Sequence, residues 1–108
     1  MDEEISKERS EIPEPPSLTV GDVRYVAVPW GKARGLGQNG GYIAALDAGG
    51  RELWLLKVYD IVYDGDMEED KQDRFIDSIF RDGADLLRIT DERGGVYRVN
   101  TKTRTVVA

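Results

Sequence analysis

Two groups of residues in this chain have types and spacing that invite chemistry. The first is an acidic run, Asp60, Asp64, Asp66, Glu68, Glu69, Asp70 and Asp73. Clustered carboxylates are hard oxygen donors for a divalent cation, and pairs of them can act as general acid and base. Tested as a calcium loop starting at Asp64, the run puts Glu69 where a glycine must turn the chain and Phe75 where a bidentate glutamate must close it. Asp64, Asp66 and Glu68 are the weak metal candidates that survive; the ordinary account is a solvated, helix-capping acidic face. The second group is the Gly-rich stretch Gly31 to Gly41 with Trp30, Lys32, Arg34, Gln38 and Asn39 in or beside it. Long loops carrying cationic, amide and indole groups often contact ligands, so these five are the candidate ligand-binding residues. Gly35, Gly37 and Gly40 match a G-x-G-x-x-G spacing. The third glycine leads into a strand pattern, however, and not into the helix N-terminus that would face a phosphate.

What is missing matters equally. The chain has 108 residues with no histidine and no cysteine. Ser-His-Asp and Cys-His nucleophiles, CxxC redox pairs and His/Cys zinc sites are therefore excluded. No catalytic residue, metal or cofactor is assigned, and the chain reads as a non-enzyme. The formal charge of −6 is unevenly distributed. Residues 1–17 carry −4 and residues 60–73 carry −6, which leaves +4 for the remainder. Arg88, Arg93, Arg98, Lys102 and Arg104 crowd the C-terminal part. They read as a solubilising exterior, or as a basic patch for an acidic partner such as the chain's own tail. Nucleic acid is not an expected partner at this net charge, and no apolar run is long enough to span a bilayer. With no targeting segment visible, the cytoplasm is the default location.

The elements that must position these groups follow from pattern. Residues 1–17 hold six acids and three of the four prolines and read as a disordered acidic tail; residues 18–108 read as one β-rich domain. Val23–Val28 and Tyr42–Leu46 have strand composition, and Glu52–Tyr63 reads as one long strand apolar at both parities, either central or bent by a bulge. Asp66 and Glu69 have capping-box spacing, which predicts a short helix near 66–74. Phe75, Ile76, Ile79 and Phe80 fit a helix face or a strand, with Gly83 as a helix C-cap or Asp82-Gly83 as a hairpin turn; a strand from about Arg74 is favoured. Leu86–Thr90, Val96–Asn100 and Thr105–Val107 are short strands joined by turns too short for a parallel crossover. The expected architecture is mainly β, a single-domain antiparallel meander of about six or seven strands.

The stretch Gly41 to Trp54 (GYIAALDAGGRELW) resembles a quinoprotein-type β-propeller repeat, in which a strand ending in Ala-Leu-Asp turns and leads into a Trp-bearing strand. Val96 to Val107 looks like a weaker copy, with Asn100 in the role of Asp47. The resemblance implies an antiparallel hairpin and a buried Trp54 packed between sheets. It does not carry over the family's quinone cofactor, because a closed propeller needs at least four blades and this chain has strands for two at most. Taken together, the sequence reads as a small soluble binding module for a protein or small ligand. The alternative is a structural unit that self-associates through its propeller-like hairpins.

Overall fold

The computed structural model describes residues 14–63, 65 and 72–107. It contains eight strands in two antiparallel sheets of four. The first sheet takes β1 (Ser17–Val20), β2 (Val23–Val28), β3 (Tyr42–Leu46) and β4 (Glu52–Lys57) in that order. The second takes β5 (Ile76–Gly83), β6 (Leu86–Asp91), β7 (Val96–Asn100) and β8 (Thr105–Val107), also in order. Within each sheet every strand pairs with its neighbour in sequence, and β4 and β5 do not pair, so the expected single meander is in fact two meanders of identical topology.

Side chains alternate across each strand, and this decides which sheet faces meet. In the first sheet Tyr25, Ala45 and Trp54 share one row, and Ala27, Ile43 and Leu56 the next. In the second, Ile79, Ile89 and Tyr97 share a row, and Leu87 and Val99 lie in another. These inner faces pack together into one core that also takes Val58, Tyr59 and Ile61 from the linker between the sheets. Ile43, Leu87, Ile89 and Val99 are essentially sealed from solvent. Burying each stabilises the fold by about 1.5–3 kcal/mol relative to exposure.

Several expectations need correction. Ser17 is the first residue of β1, a strand that sequence pattern passed over because it is four residues long and abuts Pro15 and Pro16. The long strand Glu52–Tyr63 stops at Lys57. Its apolar residues occur at both parities for two reasons. A bulge, at which Ala45 pairs with Trp54 but Leu46 with Glu52, leaves Leu53 outside the ladder and 49% exposed. Beyond Lys57, Val58, Tyr59 and Ile61 are buried as irregular linker, not as strand. Ile76 and Ile79 both face the core because a second bulge lies between Ile76 and Ser78; Phe80 then points outward. The β5–β6 turn is Ala84-Asp85, since a bulge between Arg81 and Gly83 carries β5 past the expected Asp82-Gly83 turn. Gly31–Arg34, expected to be irregular, forms a 3-10 turn. Residues 66–71 of the expected short helix lie outside the described residues; Gln72 is helical, and Asp73 and Arg74 are irregular chain leading into β5.

Candidate functional site

The Gly-rich loop connects β2 to β3 and folds back across the outer face of the first sheet. That face carries Tyr42 and Ala44, and both are buried although they point away from the core. Gly31 lies against Tyr42 so closely that a Cβ there would sit 2.2 Å from the Gln38 carbonyl oxygen and 2.7 Å from the Tyr42 ring. Arg34 reaches across to β4 and donates to both carboxylate oxygens of Glu52, at 2.8 and 3.0 Å.

The other loop candidates are also turned inward. Trp30 meets the Phe75 ring edge-on at 5.4 Å. The Lys32 ammonium lies 4.4 Å from the Tyr63 ring centre, and the Lys32 backbone N–H donates to Asn39 Oδ1 at 3.0 Å. Gln38 is 5% exposed; its amide donates to the Tyr59 carbonyl at 2.8 Å and accepts the Ile61 N–H at 2.9 Å. Asn39 donates to Asp73 Oδ2 at 3.3 Å, while Asp73 Oδ1 accepts the Tyr63 hydroxyl at 2.6 Å. These contacts close the loop onto the linker. Buried amides satisfied in this way stabilise a loop conformation and leave little with which to grip a ligand.

The metal candidates Asp64, Asp66 and Glu68 lie outside the described residues. Asp60 is exposed and pairs with Lys57 at 2.6 Å; the hydrogen bond to that carboxylate, and then its charge, raise the Lys57 pKa. Among the described residues no three acidic side chains are grouped as a cation would require.

A polar cluster that the sequence did not reveal lies where the linker meets the second sheet. Asp91, 4% exposed, accepts the backbone N–H groups of Arg93 and Gly95 through Oδ1 at 2.8 and 2.9 Å. Its Oδ2 accepts the Tyr97 hydroxyl at 2.7 Å and lies 3.0 Å from Arg74 Nε. The Arg74 guanidinium sits 4.6 Å over the Tyr59 ring, which stacks on Tyr97 at 4.7 Å. Burial works to raise the Asp91 pKa, but the hydrogen bonds from Tyr97, Gly95 and Arg93 and the Arg74 charge outweigh it and hold the carboxyl below its usual value. Burial, and then the Asp91 charge, push the Tyr59 hydroxyl well above its ordinary range. A carboxylate so fully engaged is a structural tie between segments. Its signal in the sequence is a repeated turn. Asp47 Oδ1 accepts the N–H groups of Gly49 and Arg51, as Asp91 does for Arg93 and Gly95, and Asn100 accepts those of Lys102 and Thr103.

Among the described residues two open surfaces stand out. At the turn end of the first sheet a cleft of about 300 Å³ lies between the β1–β2 and β3–β4 turns, with Thr19, Arg24, Leu46 and Asp47 in its lining. The other is the outer face of the second sheet. There Phe80, Arg88, Arg98 and Val107 form one cross-strand row, and Ser78, Thr90 and Val96 form the next. Phe80 is 50% exposed and Val96 54%. Arg88 lies 5.4 Å over the Phe80 ring, and Arg98 pairs with Asp82 at 3.0 Å. The C-terminal basic residues are thus divided. Arg88 and Arg98 are on this face, Arg93 and Lys102 are in turns, and Arg104 lies 5.8 Å over Trp54 toward the first sheet. The difference between the sheets comes from their connections. β2 to β3 runs from Pro29 to Gly41 and covers its sheet, whereas β6 to β7 needs only Glu92 to Gly95. Comparison of the chain with family models, with curated proteins and with solved structures returns no match.

Proposed function

We propose that this chain is a non-enzymatic protein-interaction module working through the outer face of its second sheet. One observation carries the reading: the two meanders have the same topology, yet only the first has its outer face covered among the described residues. The uncovered face presents an exposed aromatic and a β-branched residue beside two arginines. Aromatic and arginine side chains dominate the energetic centres of protein interfaces. The absence of histidine and cysteine supports the non-enzymatic part. A small ligand in the Gly-rich loop is the less favoured reading, because that loop's polar groups hold the fold.

The likeness to propeller hairpins belongs to the same proposal. Residues 41–54 and 96–107 fall on the third and fourth strands of their respective sheets, the same place in two equivalent meanders. Among the described residues no helix is long and apolar enough to cross a membrane, and the cytoplasm is the proposed setting. The test is in-cell cross-linking with the chain as bait. Partners retained by the wild type should be lost with Phe80→Glu and kept with Leu53→Glu, a comparably exposed residue on the first sheet. Equal partner lists for both variants would overturn the assignment.

A further inference from the structure

We infer that the occupant of the open face is a second copy of this chain, docked across a two-fold axis; this rests on the interaction-module reading above. The asymmetry between the sheets limits how copies can meet. An open-ended stack requires two free sheet faces on each molecule, one to give and one to receive. Here the Pro29–Gly41 loop lies across the first sheet, with Arg34 held on Glu52 and Gly31 against Tyr42. Self-association through the second sheet is therefore face to itself, and it closes at two.

Charge favours the same face. The chain carries −6, and residues 1–17 and 60–73 together account for more than all of it. The outer face of the second sheet instead carries Arg88 and Arg98 with Asp82, both signs side by side. A two-fold contact pairs one residue with another in both directions, so a face holding both partners of an ion pair and two apolar anchors is complementary to itself. Strand spacing bounds the strength. Four strands of about six residues present on the order of 400 Å² per copy, or roughly 800 Å² in total, which belongs to the weak and transient class.

The measurement is sedimentation velocity on the full chain from about 5 to 500 μM, a range chosen for a weak dimer. The wild type should move from the 12.1 kDa monomer toward twice that mass as concentration rises. Phe80→Glu and Val96→Glu should remain monomeric throughout, and Leu53→Glu should associate like the wild type; unchanged melting curves confirm that each variant is folded. A wild type that stays monomeric across the range overturns the inference. So does association that survives Phe80→Glu, or growth beyond a dimer. If the wild type is monomeric but its cellular partners still depend on Phe80, the second-copy inference falls and the interaction-module reading stands.

Discussion

Replacing Asp91 with asparagine tests the polar cluster most directly. The substitution keeps one oxygen, which can still accept the N–H groups of Arg93 and Gly95. It replaces the other with an amide nitrogen, facing the Tyr97 hydroxyl that donates to Oδ2 at 2.7 Å and the Arg74 guanidinium, whose Nε lies 3.0 Å from that oxygen as an ion pair without a hydrogen bond. One charge-assisted hydrogen bond is weakened, at about 1–1.5 kcal/mol, and Arg74 loses its buried counter-charge, at about 2 kcal/mol more. The expected loss is about 3 kcal/mol, a fall in Tm of roughly 15 °C for a domain of this size. The pH dependence adds a second readout. Because the folded Asp91 pKa lies below its unfolded value of about 3.9, its stabilisation is complete above that pH and disappears as pH falls through the folded value. The gap between wild type and Asp91→Asn should be constant from pH 7 to 5 and close as the solution is acidified further. Thermal melts of both proteins across that range suffice. A variant melting within 3 °C of wild type at pH 7, or a gap that persists unchanged at pH 2, would refute the reasoning.

Two further outcomes are expected. Trp54 is half-buried between Tyr25 at 6.0 Å and Arg104 at 5.8 Å, not enclosed as the resemblance implied. Trp54→Ala should accordingly cost about 2 kcal/mol, below the 3–5 typical of a fully buried tryptophan, read as a shift of the urea midpoint with unchanged slope. Gly41 and Gly50 both have left-handed backbone, at φ +82° and +88°, but a Cβ at Gly41 would lie 2.9 Å from the Tyr59 carbonyl oxygen whereas one at Gly50 would meet nothing within 4 Å. Gly50→Ala should cost about 1 kcal/mol of backbone strain alone, and Gly41→Ala about 3 kcal/mol or more, in the same denaturation assay.

The last three strands of the second sheet were legible in the sequence, because they alternate cleanly and are separated by glycine- or threonine-rich turns. Residues 86–107 have the expected strands to within one residue. Where bulges interrupt the alternation, at Leu53 and Asp77, parity misleads and inward and outward positions exchange. The division into two sheets was hidden because Val58 to Ile61 has strand composition but serves as buried linker. Composition marked the Gly-rich loop correctly as a special segment but not its purpose. Gly31, Gln38 and Asn39 make sense only once β3 and the linker are in place beside them. Asp73 and Asp91 were illegible for a related reason. A charged residue reads as exposed unless its partners are known, and here they come from segments 10 to 34 residues away for Asp73, and from Arg74 and Tyr97 for Asp91.

Pairing every strand with its immediate neighbour has a kinetic consequence. All the ladders close over short loops except β2–β3, so little chain entropy is lost before each hairpin is rewarded by its own hydrogen bonds. Each sheet can form locally, on the timescale of hairpin formation, before the two find one another. The slow event is then the seating of the Pro29–Gly41 loop and the Val58–Tyr63 linker, where Gln38 must displace water from the Tyr59 carbonyl and the Ile61 amide. Native-state hydrogen exchange should show the Ile61 amide opening together with the core and not with the turns around it.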